Sequence, residues 1–498
     1  MRLAALLSGL DEPSEIIGSA AVEVTGVSCD SRTTRPGDLF VALPGTATHG
    51  ERFVTEAIAC GAVAVAMSLA TASSVPVVRT AHPARLLGLA AARLAGDPSR
   101  ALCLVGITGT NGKTTTTHLL EGIWRAAGKQ PGVIGTIAYR FAGRERPAPY
   151  TTPDAPLLQG LLADMRAAGI THVAMEVSSH ALAQERVAGL EFDAALFTNL
   201  TRDHLDFHRD MDGYYAAKAR LFHEVLPASG KPGAVAVVNV DDEAGRRLAA
   251  ELPGRCVRVG RDARADVRLA DATTTLAGSR GVFVAAGQRV AFESPLVGAA
   301  HLENLVLAAA AAWVLGIAWT DVVEGLARTA APPGRVEQIA GPGFTVVVDY
   351  AHSPDALERL LAALRPLTRG RLLCVFGCGG DRDRGKRPLM GAAAAAASDL
   401  VVLTSDNPRS ERPEAILAEI EVGVRDAGMA PLAASGGGRG YLIEADRRAA
   451  ITLALHAARP GDVVVVAGKG HEDYQIVGAD RRHLDDREEV RRVLGALR

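Results

Sequence analysis

Long apolar runs separated by glycine-rich and helical stretches dominate the middle of the chain. Ala101–Ile107 is a continuous apolar run bounded by glycine, the pattern of a strand buried on both faces of a sheet. A glycine-rich turn and a helical stretch over Lys113–Ala127 follow it. Further apolar runs come at His172–Val177, Ala194–Leu200 and Ala234–Val240. This alternation predicts βαβ units and a mainly parallel sheet, whereas Val267–Phe292 predicts shorter β pieces.

The last third of the chain repeats the alternation of apolar runs and helices. Its predicted strands cover Phe344–Val348, Arg371–Phe376, Asp399–Leu403 and Asp462–Ala467. Each strand ends in a polar or glycine-rich cluster, and these clusters are Asp349–His352, Gly377–Arg387, Ser405–Arg409 and Gly468–Glu472. Ligands of open parallel sheets gather beyond the carboxyl ends of the strands. We therefore expect the four clusters to form one shared site.

Breaks in the pattern divide the chain into three α/β domains. The first region has short apolar runs (Val22–Val27, Asp38–Leu43, Ala62–Ala66) and a predicted helix at Ala84–Ala95, followed by the turn residues of Gly96–Ser99. A second break comes at the Pro332-Pro333-Gly334 segment. The predicted domains are therefore residues 1–98, 99–331 and 332–498. The run Gly436–Gly438 predicts a flexible loop.

Composition and charge exclude several classes of protein. The 498 residues contain 54 Lys and Arg against 56 Asp and Glu, and this near-neutral balance disfavours a general nucleic-acid binder. With 48% hydrophobic residues, extensive disorder is excluded. The apolar N-terminal stretch is broken by Ser8 and Gly9, which disfavours a signal peptide. The run Leu305–Trp319 is too short to span a bilayer and predicts a buried or amphipathic helix.

Six scattered cysteines without a CxxC pair favour buried, reduced thiols in a cytoplasmic protein. We accordingly expect a cytoplasmic protein without membrane insertion, and a monomer.

The segment GITGTNGKT between the first central strand and helix predicts a phosphate-binding loop. Gly109 and Gly112 allow backbone N–H groups to approach phosphate oxygens, Lys113 supplies a positive charge, and Thr114 offers a hydroxyl to Mg²⁺. The start of the helix adds its positive dipole end. The segment departs from a Walker A loop because Ile107 occupies the place of the first glycine. The pattern predicts ATP or GTP binding.

A bound nucleotide triphosphate needs a metal, and oxygen and nitrogen ligands follow the next strands. Glu176 ends one predicted strand and is a candidate Mg²⁺ ligand. Two histidines and two aspartates in Asp203–His208 follow the next strand and favour a functional cluster that includes His204. Lys218 alone would be interpreted as a solvated helix residue.

These segments resemble the nucleotide loop and accompanying motifs of the Mur ligases, the ATP-dependent amide-forming enzymes of peptidoglycan precursor synthesis. The resemblance spans all three predicted domains in order. The matching segments are Asp30–Arg32, Pro36–Phe40, Gly109–Thr115, Tyr150–Pro153, Glu176–His180, Thr198–Asp206, Asp349–Leu357, Gly377–Pro388, Asp406–Arg409 and Ala467–Gln475.

The resemblance implies a fold and a reaction. The first domain would bind the UDP part of the substrate, the central domain would be a P-loop-type ATPase, and the last would be a mobile Rossmann-like α/β domain. The implied reaction adds a diamino acid to UDP-N-acetylmuramoyl-L-alanyl-D-glutamate through an acyl phosphate, with two Mg²⁺ ions. Because water destroys an acyl phosphate, we expect the domains to close over the site.

Site residues carry over from the resemblance position by position. Thr114 and Glu176 would serve one Mg²⁺, and His204 with a carbamylated Lys218 would serve the second. Lys113, Lys218 and His204 are the implied catalytic residues. The implied ATP contacts are Gly109, Thr110, Asn111, Gly112, Lys113, Thr114, Thr115, Asn304, Arg335 and Asp349. Around Asn304 the chain departs from the family pattern, since His301 stands where the family often has an asparagine. The implied UDP-muramoyl-dipeptide contacts are Ser31, Thr151, Thr152, Ser178, Gln184 and Arg186.

The segment Asp406–Arg409 predicts which amino acid is added. Within the family it marks enzymes that use meso-diaminopimelate, which has one more carboxylate than lysine. Arg409 can bind that carboxylate with two hydrogen bonds, Asn407 can add an amide hydrogen bond, and Glu472 can receive the distal ammonium. The implied diaminopimelate contacts are Arg382, Asp406, Asn407, Pro408, Arg409, Gly468 and Glu472.

Three alternatives stay open from the sequence. A folylpolyglutamate synthase has a similar loop but lacks the N-terminal UDP domain and the Asp-Asn-Pro-Arg segment. A mechanical or signalling P-loop NTPase would release ADP without both acceptor substrates. A nucleotide-sensing module that has lost its chemistry would bind ATP without turnover.

Overall fold

The computed structural model describes residues 1–45, 49–69, 73–254, 256–432 and 438–497, and the structural statements below concern these ranges. Gly436 and Gly437 of the predicted loop and the side chain of Asp206 lie outside the description. Three large sheets follow one another along the chain, and a two-stranded sheet comes after the strands of the third. The prediction of three α/β units with mostly parallel sheets is confirmed, and the boundaries at residues 98 and 331 stay a prediction.

The N-terminal sheet has the strand order β1-β5-β4-β3-β2 across the described ranges. The strand β1 is antiparallel to β5, and the other neighbours are parallel. Its core is aliphatic, with Leu3, Leu6 and Leu86 fully buried. The elements are α1 (Leu3–Leu7), β1 (Ser14–Ile17), β2 (Gly26–Ser28), β3 (Asp38–Val41), α2 (Val54–Ala59), β4 (Ala64–Met67), β5 (Val77–Thr80) and α3 (Pro83–Leu94).

The central sheet has the order β16-β15-β14-β13-β12-β11-β6-β10-β7-β8-β9 in the described part of the chain. Strands from β7 through β10, β6, β11 and β12 to β14 are parallel, and an antiparallel hairpin extends each end. Its elements are β6 (Cys103–Thr108), α4 (Lys113–Ala126), β7 (Pro131–Ile134), β8 (Ala138–Phe141), β9 (Arg144–Pro147), α5 (Ala155–Ala167), β10 (His172–Glu176), α6 (Ser179–Ala183), β11 (Ala194–Phe197), α7 (Leu205–His208), α8 (Met211–Arg220), β12 (Val235–Asn239), α9 (Glu243–Glu251), β13 (Cys256–Gly260), β14 (Val267–Thr275), β15 (Gly278–Ala285), β16 (Gln288–Ser294), α10 (Ala299–Val314) and α11 (Trp319–Arg328).

The C-terminal sheet has the order β17-β18-β22-β19-β20-β21 among the described residues, with β17 antiparallel and the rest parallel. A hairpin of β23 and β24 lies apart from it. The elements are β17 (Glu337–Ala340), β18 (Thr345–Asp349), α12 (Pro354–Leu364), β19 (Leu372–Phe376), α13 (Lys386–Ala397), β20 (Leu400–Leu403), α14 (Pro413–Asp426), β21 (Gly440–Ile443), α15 (Arg447–Ala457), β22 (Val463–Ala467), β23 (Tyr474–Val477), β24 (Asp480–His483) and α16 (Asp486–Ala496).

The strands predicted from continuous apolar runs are the buried centres of their sheets. Every residue of β11, β19 and β22 is buried. The prediction of a buried helix in the run Leu305–Trp319 is confirmed as far as Val314, where α10 ends, because most of α10 packs in the central core. In the ranges described, no helix is long and apolar enough to cross a membrane.

The cysteines are free thiols, as expected. Cys374 and Cys378 are buried, but Cys60 is exposed and Cys29, Cys103 and Cys256 are partly exposed. The expectation of uniformly buried thiols is therefore wrong for four of the six. Those four residues are not in the fully buried centres of the strands, so solvent reaches part of each of them.

Candidate active site

The phosphate loop lies at the carboxyl edge of the central sheet. It connects β6 to α4, and β6 has β10 and β11 as its two parallel neighbours. The carboxyl ends of parallel strands share one edge, so the segments after β7, β10 and β11 also reach the loop. The helix α4 begins at Lys113 and, within the described chain, has no side-chain cap. Its first N–H groups are therefore available to an anion.

Both loop glycines are required by their neighbours as well as by a phosphate. Gly109 has φ 143° and Gly112 has φ 90°, in the region that favours glycine. A Cβ on Gly109 would collide with Thr198 Oγ1, and a Cβ on Gly112 would collide with Asn304 Oδ1. The structure thus brings Asn304, on buried α10, directly against the loop.

Residues after β11 hold the loop from its other side. Thr110 N donates to the Asn199 carbonyl at 2.8 Å, and Asn111 N donates to Asn199 Oδ1 at 2.9 Å. Thr198 Oγ1 donates to the Asn111 carbonyl at 2.6 Å. Thr198 and Asn199 were missed by sequence reasoning, although they directly follow a parallel strand, a position that would have indicated a role at this edge of the sheet. Thr115 is buried in the first turn of α4.

Two lysines share one carbonyl oxygen at the loop. Lys113 Nζ and Lys218 Nζ each donate to the Gly109 carbonyl at 2.8 Å, and Lys113 also donates to the Thr110 carbonyl at 2.9 Å. Lys218 is 1% exposed, and its Nζ lies 4.4 Å from the ring centroid of Tyr214. Burial, followed by the charge of Lys113, holds the pKa of Lys218 well below its usual range. Lys218 is thus a buried residue of the site rather than a solvated one.

Thr114 and Glu176 meet as the sequence predicts for a metal pair. Thr114 Oγ1 donates to Glu176 Oε1 at 2.9 Å, and Glu176 is 1% exposed. Thr136, after β7, donates from its N–H to Glu176 Oε1 at 2.9 Å and from its hydroxyl to Oε2 at 3.0 Å. A Cβ on Gly135 would collide with the same carboxylate. Thr136 was missed by sequence reasoning, although it follows a strand that ends at this edge.

His204 lies in a cluster of rings above the loop. It is about half exposed, its Nε2 lies 3.5 Å from Asp203 Oδ2, and its ring is 5.0 Å from that of His180. Its φ of 53° places it in the left-handed region, a strain that is common at functional sites. His208 shares a hydrogen bond with Ser179 Oγ at 2.9 Å. Within the described residues no three His, Cys, Asp or Glu side chains cluster as a metal site.

Arg335 and Asp349 face the loop from the C-terminal unit. Arg335 lies 4.5 Å from the Tyr350 ring centroid, and its charge helps to lower the pKa of Lys113, which burial lowers most. Asp349 accepts from Val336 N and Ala351 N at 2.8 Å each. Burial raises the pKa of Asp349, and Arg335 opposes that rise. Arg335 and Asp349 are therefore neighbours, and the charge of Arg335 acts on Lys113 of the phosphate loop.

The predicted dipeptide contacts are connected through Thr152. Thr152 Oγ1 donates to the Glu176 carbonyl at 2.9 Å and accepts from Ser178 N at 3.0 Å. Arg186 donates to the Thr152 carbonyl at 2.8 Å and, through Nε and Nη2, to Gln184 Oε1. Thr151 Oγ1 lies 3.0 Å from Thr136 Oγ1, which links this set to Glu176.

Ser31 lies on the N-terminal unit and is buried, with its hydroxyl donating to Glu56 Oε2 at 2.9 Å. Burial raises the pKa of nearby Cys29 to about 11, while the charge of Arg186 opposes the rise. This interaction shows that the segment around Ser31 lies beside Arg186. The N-terminal and central units thus contribute to one surface.

The diaminopimelate candidates gather at the carboxyl edge of the C-terminal sheet. Arg409 is half-buried, has φ 51°, and donates from Nη1 to the Gly380 carbonyl at 2.7 Å. Its backbone pairs with β23, since Arg409 N donates to the Ile476 carbonyl at 3.0 Å. Arg382 is exposed and lies on the loop after β19, near Gly379 and therefore near Arg409. These contacts join the segments after β19 and β20, two of the four clusters that were expected to share one site.

Asn407 and Glu472 form the buried part of this pocket. Asn407 Nδ2 donates to Glu472 Oε2 at 3.0 Å, and Asn407 Oδ1 accepts from Ile476 N at 3.0 Å. A Cβ on Gly468 would lie 2.8 Å from Asp406 Oδ2, so the two strand ends are close. Pro408 is buried, and its carbonyl lies against Gly380.

Three buried cations that the sequence analysis did not assign support this pocket. Lys469 donates to Asn407 Oδ1 and Glu472 Oε2, both at 3.3 Å. Arg447 pairs with Asp486 at 2.7 Å and donates to the Ser405 and Ala467 carbonyls at the ends of β20 and β22. Arg387 binds Glu411, Glu419 and the Gly379 carbonyl. Lone basic residues carry no sequence signal of burial, so only the structure reveals these three.

The three α/β units, with a phosphate loop in the central one, define the architecture of a Mur ligase. Comparison with known proteins supports this class. The family models "Mur ligase family, catalytic domain", "Mur ligase middle domain" and "Mur ligase, glutamate ligase domain" match residues 23–100, 107–312 and 334–470. The chain belongs to the Mur ligase family.

Relatives of nearly equal length refine the comparison. The chain is 48% identical to the UDP-N-acetylmuramoyl-L-alanyl-D-glutamate--2,6-diaminopimelate ligase of Gloeobacter violaceus, over 96% of this chain and 95% of that protein. It is 46% identical to the ligase of the same name from Geobacter metallireducens, over 97% and 96% of the two chains. A solved structure of a ligase of this name is 34% identical, with a TM-score of 0.73, and the match covers 100% of this chain and 99% of that one.

Proposed function

We propose that this chain is an ATP-dependent ligase that joins meso-2,6-diaminopimelate to the D-glutamyl γ-carboxylate of UDP-N-acetylmuramoyl-L-alanyl-D-glutamate. The observation that carries the proposal is the pairing of two sites in one chain. A phosphate loop with the Thr114–Glu176 pair lies on the central sheet, and an arginine–glutamate pocket lies on the C-terminal sheet. Full-length identity to ligases of this name supports the same assignment.

The chemistry proceeds in two balanced steps. An oxygen of the glutamyl carboxylate bonds to the γ-phosphorus of ATP as the bond to the β–γ bridging oxygen breaks, which releases ADP. The amine of diaminopimelate then attacks the acyl carbon, loses a proton, and expels inorganic phosphate as the amide forms. Lys113 offsets phosphate charge in the first step, after it leaves the Gly109 and Thr110 carbonyls.

The Thr114 and Glu176 oxygens fit Mg²⁺, because they are hard donors already within 2.9 Å of each other. These two residues would hold one ion, which supplies charge neutralisation at the triphosphate. We assign a second Mg²⁺ to His204 and a carbamylated Lys218. We further assign Gly109–Thr115, Asn304, Arg335 and Asp349 to ATP, a proposal supported by the contact of Asn304 with the loop and by the charge of Arg335 at Lys113.

A carbamate on Lys218 would resolve the crowding of two ammonium groups at one carbonyl. The neutral amine attacks the carbon of CO₂ and loses a proton, which leaves an anion that can ligate a metal. Burial and Lys113 favour the neutral amine, since they lower the pKa of Lys218. The buried position also shields the carbamate from water.

The acceptor nucleotide would lie between the N-terminal and central units. The charge of Arg186 acts on Cys29, two residues before Ser31, and Thr151, Thr152, Ser178 and Gln184 complete the set. Arg186 is suited to a carboxylate or phosphate because its guanidinium presents two parallel donors. We assign these six residues to the UDP-muramoyl dipeptide.

Arg409 would select diaminopimelate over lysine. The distal carboxylate of diaminopimelate can accept two hydrogen bonds from the guanidinium, whereas lysine leaves that group without an anion. Leaving a desolvated charge unpaired costs about 2–5 kcal/mol, which corresponds to roughly 30- to several-thousand-fold discrimination. Arg382, Asp406, Asn407, Pro408, Gly468 and Glu472 complete the proposed pocket.

We propose the unit boundaries 1–98, 99–331 and 332–498, with closure of the last unit over the other two. The near-neutral charge argues against a nucleic-acid partner. We further infer a cytoplasmic protein without membrane insertion, because nucleotide-sugar, ATP and amino-acid substrates all occur in the cytoplasm. We also propose that the chain is a monomer.

Product analysis tests the function directly. Purified protein with ATP, Mg²⁺, the UDP-dipeptide and meso-diaminopimelate should yield ADP, phosphate and the UDP-tripeptide by chromatography and mass spectrometry. Omission of either acceptor should stop ADP release. Product with lysine but none with diaminopimelate would contradict the substrate assignment, and ATP binding without turnover would favour a nucleotide-sensing module.

A further inference from the structure

Lys469 is a fully buried lysine in the proposed amino-acid pocket. It follows β22 directly, and its side chain is 0% exposed. Its Nζ lies 3.3 Å from Asn407 Oδ1 and 3.3 Å from Glu472 Oε2, and 5.3 Å from the Tyr474 ring centroid. Asn407 donates to the same Glu472 oxygen at 3.0 Å. A buried ammonium is costly unless it is paired, so its place between two proposed substrate residues needs an explanation.

We propose that Lys469 is a positioning residue for the amino acid: it keeps the Glu472 carboxylate ionised and fixes its orientation toward the distal ammonium of the substrate. This inference rests on the proposed function. Lys469 and Asn407 both donate to Oε2, so the position of that oxygen is fixed before the amino acid arrives. Because the carboxylate is already ordered and charged, binding of the ammonium carries no further entropic cost for ordering it.

The charges around Glu472 show why a cation is needed there. Burial raises the pKa of Glu472, Lys469 lowers it, and the Asp406 carboxylate raises it. Two neutral phenols face the group from other elements, Tyr350 after β18 and Tyr474 on β23.

Arg447, on α15, is the other cation that acts on Glu472, and its guanidinium already pairs with Asp486 at 2.7 Å. Without Lys469, burial and Asp406 would dominate and Glu472 would stay protonated to higher pH. A protonated Glu472 cannot pair with an ammonium, so binding of the amino acid would fail first at low pH.

The substitution Lys469→Met separates this role from simple packing. We expect the acid limb of the pH profile of kcat/KM for diaminopimelate to shift to higher pH by about one unit. At pH values on the acid side of the limb, kcat/KM should therefore fall about tenfold. The KM values for ATP and the UDP-dipeptide should stay within about twofold. Lys469→Arg keeps the charge and should retain the wild-type limb.

Lys231→Met is the matched control. Lys231 is also a largely buried lysine, paired with Asp193 and the Leu102 carbonyl, but it lies by the starts of β6 and β11, at the opposite edge of the central sheet. Its substitution should lower thermal stability without moving the pH profile for diaminopimelate. A shift of equal size in both variants would overturn the proposal.

A double-mutant cycle tests whether Lys469 acts through Glu472. In a Glu472→Gln background, Lys469→Met should cost less than about twofold further in kcat/KM for diaminopimelate. Fully additive losses, or an acid limb unmoved in Lys469→Met, would overturn the proposal. Failure of both Lys469→Met and Lys469→Arg to fold would overturn it as well, because the role would then be structural. Absence of turnover in the wild type would instead refute the proposed function.

Discussion

Single atoms decide the chemistry at the phosphate loop. The Gly109 carbonyl accepts from two lysines, and Thr114 and Thr136 both donate to Glu176. At this scale the sequence predicts the residue types that hold phosphate and metal. It does not predict Thr136 or Lys469, because one threonine or lysine carries no pattern and acquires meaning only when strand ends are placed side by side.

Removal of CO₂ should lower the activity of the wild type by about tenfold or more, since a metal-orienting group would be lost. The assay compares turnover in CO₂-stripped and bicarbonate-supplemented buffer. Lys218→Arg keeps the charge but cannot form the carbamate, so it should be inactive in both buffers. Full wild-type activity in stripped buffer would contradict the modification.

Arg409→Ala should raise the KM for diaminopimelate by about 30-fold or more while the KM for ATP changes within about twofold. The physical reason is loss of the guanidinium that is proposed to give the distal carboxylate two hydrogen bonds. Arg412→Ala is a matched control, because Arg412 is exposed and pairs with Glu414 a few residues away. Equal loss of ATP and diaminopimelate binding would show that Arg409 serves folding instead.

Elements differ in how readily the sequence reveals them. Strands such as β19 and β22, buried on both faces, appear as uninterrupted apolar runs and were predicted within one or two residues. Short strands at sheet edges, such as β9 with four exposed residues and β1 with three, have no apolar run and were missed. The strands β14, β15 and β16 confirm the β pieces predicted over Val267–Phe292, but how they pair with the rest of the central sheet was not predicted.

Helix α15 joins two strand ends to α16 through one ion pair. Arg447→Met should lower the free energy of unfolding by about 3–5 kcal/mol, because it leaves the Asp486 charge buried without a partner. Chemical denaturation measures the loss. The double variant Arg447→Met with Asp486→Leu should recover much of it, and a single variant as stable as the wild type would show that the pair contributes nothing.

The whole molecule distributes three binding sites over three units. The N-terminal and central units pack closely, since a Cβ on Gly88 would lie 2.7 Å from the Ala188 Cβ. The charge of Arg335, which neighbours Asp349, links the C-terminal unit to Lys113 of the phosphate loop. The sequence predicts the number and order of the units well, because linkers carry Pro and Gly, but it does not predict how closely their surfaces approach.

Closure of the C-terminal unit should reduce the radius of gyration when a non-hydrolysable ATP analogue and the UDP-dipeptide bind together. Closure excludes water from an acyl phosphate, so both ligands are needed. Small-angle X-ray scattering with each ligand alone and with both is the measurement. An unchanged radius with both ligands present would argue for a chain that is closed throughout.

The buried hydrophobic clusters also divide largely among the three units, since Leu86, Leu305 and Leu361 belong to three different clusters. Heat should therefore melt the chain in more than one calorimetric transition, not as a single cooperative event. A nucleotide that binds mainly to the central unit would raise the melting temperature of that unit and leave the melting temperature of the N-terminal unit nearly unchanged. The calorimetric trace would therefore report which unit a given ligand stabilises.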